Sequence, residues 1–504
     1  MGCIQSSALE QRLPDTFLRN LCTHYQGIDV FSRYKIIKEL GTGAFGVVNQ
    51  VEMISTSEQY AMKVITIGPN AKLPELRKEI DLWRGLQHPN IVRLIETYET
   101  QTHIYMIMEL CTGGHLLHAI KERKAAYDEE TVKMYIRKLA ASIYYLHLKN
   151  ICHRDIKLEN ILYESTDPNS DIKLCDFGAS TMFREGVLMQ TVLGSVVYMA
   201  PEFLEGQYTQ ACDMWSMGVV MYMLLSNTMP FHGDVEDELV ESIFEAKVDF
   251  SGEAWKSISD DAKSLIKKLL EADIKNRYTA LQVLMHPWIK SADIALSPTS
   301  QIDNVIKRLS EYASFGRMMR AGLLAVAFCC PSIDISDIKQ AFDELTVLHN
   351  GVLTIKDLQQ VSLTEKYPSV DFAKIFSSLD MENSNQVTFL EFVSAVMNPT
   401  TVDEKVLKKA YLLFNPDDSK GGIREEGLAR LLGTDVDDIS IKEMIGVADS
   451  DKDGAINYEE FVKIIQTRPV SRVASIRRTG PISRRNSGTR NNREPQSEPS
   501  NNKI

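Results

Sequence analysis

The sequence predicts an α+β protein, in which a small β-rich lobe precedes a larger helical lobe and an all-α region follows. Residues 34–68 alternate apolar and polar side chains between turn residues, as half-buried strands do. Strand patterns return over 91–99 and 103–111, and helical periodicity then dominates to about Ile289. Repeated helix–loop–helix patterns fill 335–466. The 504 residues suit about three such units, since a domain averages roughly 150 residues.

The elements of the first lobe follow from local periodicity. Apolar and polar residues alternate over 34–40, 47–53 and 59–65, which predicts three strands. From 74 to 85 large apolar residues recur at i, i+4 and i+7, which predicts a helix, and Pro74 suits its first position.

Composition divides the chain into five segments. We predict an N-terminal segment over 1–33, a bilobal domain over 34–289, a linker with an amphipathic helix over 290–334, an all-α domain over 335–466 and a basic tail over 467–504. The tail is largely Arg, Ser, Asn and Pro, so it cannot bury enough apolar surface to fold and should be disordered.

Composition and cysteine usage exclude several classes of protein. Apolar residues make up 44% of the chain and charged residues 25%, as in soluble globular proteins. The apolar run Ala321–Cys330 is among the longest, whereas a transmembrane helix needs roughly 20 apolar residues. We expect no secretory signal, because the first residues lack its basic and apolar regions. The eight cysteines form no C-x-x-C pair, so we expect a reduced cytosolic protein without a zinc site or disulfide framework.

The formal charge of −12 is unevenly distributed. The tail holds nine basic and two acidic residues, so the rest of the chain carries −19. A folded body this acidic argues against nucleic-acid binding and suits the binding of cations.

A glycine-rich loop lies between the first two predicted strands. Gly41, Gly43, Gly46 and Val48 fit the pattern G-x-G-x-x-G-x-V, and glycines allow backbone N–H groups to approach phosphate oxygens. A flexible turn without a ligand is the alternative. A dinucleotide-binding turn would need a helix after the loop, but a strand follows and leads to Lys63.

Lys63 lies in an apolar strand, where an unpaired ammonium would be costly. It is either a strand-edge lysine in water or a phosphate ligand that pairs with an acid. Glu79 is the expected partner, because it shares a helical stripe with Leu82 and Leu86.

A second group of motifs carries catalytic chemistry. The run 153–160 places Asp155 and Asn160 in one short loop, Asp176 then begins D-F-G, and A-P-E follows at 200–202. Carboxylate and amide oxygens at Asp176 and Asn160 suit Mg²⁺. Asp155 has the chemistry to orient and deprotonate a hydroxyl nucleophile.

Taken together, these motifs resemble the catalytic domain of eukaryotic protein kinases over Tyr34–Ile289. The resemblance implies that the glycine-rich loop covers ATP, that Lys63 and Glu79 position its phosphates, and that Met108 stands beside an adenine-contacting hinge. The nucleotide-binding residues that it implies are Leu40, Gly41, Thr42, Gly43, Ala44, Phe45, Gly46, Val47, Val48, Ala61, Lys63, Glu79, Met108, Glu109, Cys111, Glu159 and Asp176.

The same resemblance implies the catalytic roles. Asp155 is the base, Asn160 and Asp176 bind Mg²⁺, and Lys157 contacts the γ-phosphate, as in the serine/threonine class. His115 departs from the pattern, because many kinases that prefer basic substrates carry Glu there, and Glu159 remains for part of that role. The residues implied to be structural are Glu202, Arg277 and Asp213.

The C-terminal region contains one complete calcium-binding pattern. Residues 449–460 match the EF-hand loop at every ligand position, with Gly454 at the sharp turn. An acidic solvated turn is the alternative. The predicted ligands are the side chains of Asp449, Asp451, Asp453, Asn457 and Glu460 and the carbonyl of Ala455.

Three further loops are less regular. The loop 380–391 keeps most ligand positions and has Asn385 in place of glycine, which tolerates a positive φ. The loops 346–357 and 415–426 depart further, so we expect them to be structural and free of metal. The predicted ligands of the second loop are Asp380, Glu382, Ser384, Thr388 and Glu391.

The order of a kinase-like domain, a basic amphipathic segment and four EF-hand-like units resembles the calcium-dependent protein kinases of plants and protists, over about residues 30–466. In that family the segment after the kinase domain blocks the active site until calcium rearranges the hands. Residues 303–330, which we call the junction and predict as one helix, interleave basic and apolar side chains as an EF-hand groove would bind them. An ordinary packing helix is the alternative.

Two functions therefore compete. One is a calcium-activated serine/threonine kinase that uses ATP, Mg²⁺ and Ca²⁺, and the other is a non-catalytic calcium sensor or scaffold with a kinase fold. The second would normally lack Lys63, Asp155, Asn160 or Asp176, and all four are present. We expect a monomer that binds protein substrates and no nucleic acid.

Three residues are candidates for modification. The first six residues fit the myristoylation pattern with Gly2 as acceptor, and Cys3 is the expected palmitoyl site, since one myristoyl chain binds membranes only marginally. Acylation predicts a cytoplasmic protein on the inner face of the plasma membrane or on an endomembrane, whereas the basic run 477–485 is also typical of a nuclear address. Thr191, three residues before Gly194, has the spacing of a phosphorylated activation-loop residue in many kinases.

Overall fold

The computed structural model describes residues 16–43, 46–68, 73–123, 125–191, 195–290, 300–330, 335–346, 351–381, 384–415, 421–433 and 438–466. The predicted site residues outside these ranges are Gly2, Cys3, Ala44, Phe45 and Glu382, and the tail 467–504 also lies outside them.

The small lobe is a six-stranded sheet with a helix packed on it. Neighbouring strands are antiparallel except for the first and fifth, which pair in parallel, and the strand order is β1-β5-β6-β4-β3-β2. The strands are β1 (Thr23–Gln26), β2 (Tyr34–Gly43), β3 (Gly46–Met53), β4 (Gln59–Thr66), β5 (Leu94–Glu99) and β6 (His103–Met108), and the helices are α1 (Thr16–Leu21) and α2 (Leu73–Arg84). The predicted strands and helix correspond to β2–β6 and α2.

Residues 16–26 belong to this lobe, although the sequence analysis assigned them no structure. Helix α1 buries Phe17, Leu18 and Leu21 completely or nearly so. Strand β1 then pairs with β5, with Thr23 opposite Glu96. A strand of four residues carries too little periodicity to be predicted. Its pairing with β5, rather than its local sequence, therefore determines that these residues form a strand.

The large lobe is mainly helical. Its central helix, α6, is apolar on every side and buries every residue after its first, as expected of a helix surrounded by protein. The helices are α3 (Leu116–Arg123), α4 (Glu129–Leu148), α5 (Pro201–Leu204), α6 (Ala211–Ser226), α7 (Glu236–Glu245), α8 (Asp260–Leu269), α9 (Ala280–Leu284) and α10 (Pro287–Lys290), and the short strands are β7 (Ile151–Cys152), β8 (Ile161–Tyr163), β9 (Ile172–Leu174) and β10 (Thr181–Met182). Glu202 and Arg277 form the expected buried ion pair, with two N–O contacts of 2.5 and 2.9 Å.

Over its described residues, the C-terminal region is mainly helical. Two antiparallel β-bridges join its loops in pairs, Leu353 with Val387 and Ile423 with Ile456. The helices are α11 (Ser300–Tyr312), α12 (Arg317–Cys329), α13 (Ser336–Leu345), α14 (Ile355–Leu358), α15 (Val361–Lys366), α16 (Phe372–Leu379), α17 (Phe389–Val396), α18 (Glu404–Phe414), α19 (Glu425–Leu432), α20 (Asp438–Ala448) and α21 (Tyr458–Gln466). Among the helices of the described ranges, none is long and apolar enough to cross a membrane.

The junction is two helices, so the prediction of one helix over 303–330 is wrong. Helix α11 ends at Tyr312, and Gly316 takes an extended backbone with φ −68° and ψ 162° to begin α12. Helix α11 packs on α13, α16 and α17, whereas α12 packs on α17, α18, α20 and α21. Both helices contact α17, and the break between them lets α11 also pack on α13 and α16 and α12 on α18, α20 and α21.

Candidate functional site

The site is built on a buried carboxylate. Asp213, at the start of α6, accepts hydrogen bonds from the backbone N–H groups of His153 and Arg154 at 2.9 and 2.8 Å, and contacts His147 Nε2 at 2.9 Å. Burial alone would raise the pKa of Asp213, but these hydrogen bonds and His147 hold it below the usual carboxyl value. The ionised carboxylate therefore fixes the loop that follows β7, where Arg154 adopts a left-handed φ of 67°.

This loop brings three polar side chains together. Asp155 Oδ2 lies 2.8 Å from Lys157 Nζ, and Asn160 Nδ2 donates to the carbonyl and to Oδ2 of Asp155, each at 2.8 Å. The side-chain N–H groups of Asn160 both donate to Asp155, so its side-chain oxygen Oδ1 remains to bind a metal. Asp155 and Asn160 are buried, and their geometry is fixed by the hydrogen bonds within the loop.

Lys63 and Asp176 meet across the two lobes. Lys63 Nζ lies 2.8 Å from Asp176 Oδ1. Burial alone would raise the pKa of Asp176, but the Lys63 ammonium outweighs burial and lowers it. Glu79 lines the same cavity of about 430 Å³, together with Gly46 and Phe177. Asp176 is therefore an ionised carboxylate paired with Lys63, which lines this cavity together with Phe177 and Gly178.

The glycine-rich loop approaches β4 at Gly46. This residue has φ +128°, and a Cβ there would lie 2.1 Å from the carbonyl oxygen of Val64. Only glycine fits, because both the backbone conformation and the space exclude a side chain. Leu40 is exposed on β2, and the pairs across the β2–β3 hairpin are Gly41–Val48, Thr42–Val47 and Gly43–Gly46.

The expected hinge follows β6. Met108 is buried and pairs with Ala61 across β4 and β6. The buried Lys173 lies 3.2 Å from Glu109 Oε1. Burial alone would lower the pKa of Lys173, but the Glu109 carboxylate outweighs burial and raises it. Cys111 is half-buried at the end of the segment. Lys173 was assigned no role from the sequence, although it lies three residues before Asp176, because its partner Glu109 is distant in sequence.

Phe177 packs between the lobes. Its ring centroid lies 5.4 Å from that of Trp83 on α2 and 5.0 Å from that of His153. The position of Asp176 thus depends on apolar contacts with α2 and with the catalytic loop. The helical stripe that contains Trp83 predicted burial, but it did not reveal this partner.

His115 begins α3. Its Nδ1 accepts the backbone N–H of His118 at 3.1 Å, so the ring is the neutral tautomer that donates from Nε2. Burial lowers the His115 pKa against the opposing effect of Glu159. Glu159 in turn accepts a hydrogen bond of 3.3 Å from the Tyr198 hydroxyl.

Thr191 is exposed, and its backbone is tied to the catalytic loop. The Tyr208 hydroxyl donates to the Thr191 carbonyl at 2.5 Å and accepts from Arg154 Nη1 at 3.1 Å. Arg154 Nε also donates to the carbonyl of Ala179 at 2.5 Å. Tyr208 had no motif around it, so sequence analysis missed this link.

The last loop of the C-terminal region gathers carboxylates. One ligand oxygen each from Asp449, Asp451 and Asp453 lies within 4.8 Å of the others. Asp449 accepts the backbone N–H of Gly454 at 2.9 Å, and Gly454 has the expected positive φ of 83°. Glu460 closes the loop, since its carboxylate accepts the N–H of Ser450 and of Asn457. Ala455 is buried beside them.

The loop 380–391 has the same internal pattern. Asp380 accepts the backbone N–H groups of Ser384 and Asn385, each at 2.8 Å, and Asn385 has φ +60°. Glu391 accepts the N–H and hydroxyl of Thr388 at 2.7 and 2.8 Å. Both acids are buried, so a cation between them would meet ionisable oxygens in a preformed loop.

The two remaining loops use their polar groups differently. Asp357 accepts the N–H and hydroxyl of Thr354 and so caps α14. Asn415 has a buried amide nitrogen for which the described residues provide no hydrogen-bond partner. Gly421 and Gly422, in the loop 415–426, both have positive φ.

Known proteins match both halves of the chain. Residues 34–289 match the protein kinase domain family. Calcium-dependent protein kinase 34 of Arabidopsis thaliana is 34% identical over 449 residues, which are 87% of this chain and 85% of the relative. Calcium-dependent protein kinase 17 of the same plant is 34% identical, with 87% and 84% covered. Calcium-dependent protein kinase 19 of Oryza sativa subsp. japonica is 32% identical, with 87% and 83% covered.

The likeness to these relatives extends well beyond the kinase domain and includes the region of paired loops. Protein kinase chemistry, ATP and Mg²⁺ suit the first half, and Ca²⁺ suits the second. Nothing in the comparisons favours a non-catalytic scaffold. The chain is therefore a serine/threonine protein kinase, and it belongs to the calcium-dependent protein kinase family.

Proposed function

We propose that the group around Asp155 transfers the γ-phosphate of ATP to Ser and Thr hydroxyls of proteins. The observation that carries this proposal is the fixed triangle of Asp155, Lys157 and Asn160. Asp155 accepts the proton of the attacking hydroxyl, and Lys157 stabilises charge on the transferred phosphate. Asn160 and Asp176 offer the oxygens that Mg²⁺ needs, and the bound metal would neutralise phosphate charge.

Removing charge from this site should abolish catalysis. In Asp176→Asn the amide loses both the negative charge and the ion pair with Lys63, so we expect phosphoryl transfer to fall by at least 100-fold, and Lys63→Met should have a similar effect. Transfer of radiolabelled phosphate to a peptide measures the rate. Asp249→Asn, an exposed aspartate in a turn, is the matched control. Near-normal turnover in Asp176→Asn would contradict the catalytic assignment.

Calcium control is proposed to act through the loops 449–460 and 380–391. Moving an equilibrium from 1:99 to 99:1 requires about 5.5 kcal/mol of differential binding. One site that binds only the active state, at 100 times its dissociation constant, supplies about 2.7 kcal/mol. Two such sites together reach the required free energy, whereas one gives a less complete switch.

We propose that this structure represents the released arrangement of the junction. Both junction helices pack on helices of the C-terminal region. The described residues that line the cavity beside Lys63 all precede residue 179. In the inhibited arrangement, the junction would instead cover this cleft, and calcium would favour its transfer to the hands.

Loss of the bidentate ligand should test the switch. Glu460→Gln removes one carboxylate charge from the last loop, so we expect most calcium activation to disappear while the rate in chelator is unchanged. Glu391→Gln then counts the sites, because partial loss indicates two metals and no loss indicates one. The neighbouring exposed acid Glu459, changed to Gln, serves as the control. Normal activation of Glu460→Gln would disprove this origin of the switch.

Phosphorylation of Thr191 is a further proposal. Arg154 and Thr191 share the Tyr208 hydroxyl, so a phosphate on Thr191 would lie near a guanidinium and could order the loop. We expect Thr191→Ala to lower the calcium-stimulated rate several-fold and Thr191→Ser to retain it. Mass spectrometry of the active protein should locate the phosphate. An unchanged rate and calcium response in Thr191→Ala would refute the proposal.

Membrane attachment is proposed from the first residues. A myristoyl group on Gly2 and a palmitoyl group on Cys3 would supply the two signals that stable anchoring requires. We expect Gly2→Ala to move the protein to the soluble fraction of cells and Cys3→Ser to weaken retention, with Ser7→Ala as the control. Membrane fractionation measures the effect, and equal retention of Gly2→Ala and parent would rule acylation out as the anchor.

A further inference from the structure

The first helix–loop–helix unit contacts the kinase domain at a glycine. Gly351 has φ +71°, and a Cβ there would lie 2.1 Å from His88 Nε2 and 3.3 Å from the carbonyl oxygen of Ala141. His88 is buried, so its ring cannot swing into solvent to make room. At this point the two halves of the protein approach more closely than any side chain would allow.

An ionic contact lies beside the glycine. Lys339 on α13 forms an ion pair with Asp171 of the kinase domain, and Lys138 on α4 lies 2.5 Å from the same carboxylate. Lys339 also reaches the carbonyl of Pro89 at 3.5 Å. All three ionic side chains are largely buried, so the contact excludes water. It therefore depends on good geometry, since a buried charge without its partner is strongly destabilising.

The kinase side of this contact connects with the active site. His88 Nδ1 accepts the backbone N–H of Asn90 at 3.0 Å. Asn90 Nδ2 donates to the carbonyl of Ile172 at 2.8 Å, and the N–H of Leu174 donates to the Asn90 carbonyl at 2.8 Å. These last two bonds hold β9, which ends two residues before Asp176. Displacement of His88 would therefore shift β9, the strand that leads to Asp176.

The regulatory side connects with a predicted calcium loop. The N–H and carbonyl of Leu353, two residues after Gly351, exchange hydrogen bonds of 2.8 Å with Val387. Val387 lies in the loop 380–391, directly before Thr388, which hydrogen-bonds Glu391. The glycine contact and the second loop are therefore joined by a short stretch of paired backbone.

We propose that the first unit is a docking latch, in which Gly351 and Lys339 hold the C-terminal region against His88 and Asp171 of the kinase domain. The latch uses the turn glycine of a loop that we expect to be free of metal, and the bridge to Val387 lets occupancy of the second loop favour its closure. When the latch is closed, the contact at His88 holds β9 through Asn90, and this stabilises the active position of Asp176. This inference rests on the calcium control proposed above.

The test is a steric block at the latch in the full-length protein. Gly351→Ala should lower the calcium-stimulated rate about tenfold, leave the rate in chelator unchanged, and leave calorimetric calcium binding by the last loop intact. Gly421→Ala is the matched control, because that glycine also has a positive φ, +61°, but has open space around it. Lys339→Met, which removes the ionic contact without adding volume, should lower the stimulated rate as well.

A second substitution separates the latch from general damage. Removal of the opposing ring in the double variant His88→Ala/Gly351→Ala should restore part of the calcium-stimulated rate that Gly351→Ala loses. A double-mutant cycle measures this coupling between the two positions. Hydrogen exchange in β9 should be slowed by calcium in the parent and not in Gly351→Ala. Stimulation of Gly351→Ala equal to that of Gly421→Ala would overturn the latch and leave calcium control standing. A parent enzyme without calcium stimulation would overturn calcium control itself.

Discussion

The carboxylate of Asp213 is buried in the large lobe, and the catalytic loop has its shape because two of its backbone N–H groups bind that carboxylate. A buried charge is costly unless it is fully hydrogen-bonded, so the loop cannot relax without leaving the charge unpaired. Arg154 is held in a left-handed conformation by the same constraint. Asp155 and Asn160 follow at fixed offsets, and their own hydrogen bonds complete the site. The position of the catalytic groups is thus decided by an interaction beneath them.

The chemistry of the site could be predicted from sequence because phosphate transfer restricts residue type and spacing. Gly46 illustrates this, since the structure leaves no space for a Cβ at the position the motif assigned to glycine. The surrounding contacts were beyond prediction for a different reason. Phe177 packs on Trp83, and Tyr208 joins Arg154 to Thr191, but these pairs are distant in sequence and involve residue types that are common in any core. Only the tertiary fold determines which of them meet.

The same distinction applies to whole elements. Strands β2–β6 and helix α2 have enough periodicity to be predicted, whereas β1 exists because β5 offers it an edge. The junction was predicted as amphipathic, and its apolar face is indeed buried. Its break near Gly316 was missed, because amphipathic periodicity on both sides of a short interruption looks like one helix. Apart from α17, which both helices contact, the two junction helices have different neighbours, and the local pattern carries no information about those neighbours.

The loops of the C-terminal region show what a unit whose loop departs from the calcium-binding pattern still contributes to the fold. Each predicted calcium loop is bridged to a less regular one, Val387 with Leu353 and Ile456 with Ile423, so the less regular loop supplies half of the backbone pairing. Phe342 also packs on Phe389 and Phe392 across the first pair, with ring centroids 5.2 Å apart in both cases. Deleting the first unit would therefore expose the core of the second. The loop of the first unit also keeps a glycine with a positive φ at its turn, as Gly454 does in the last loop, and this glycine, Gly351, is the residue that lies against His88 of the kinase domain.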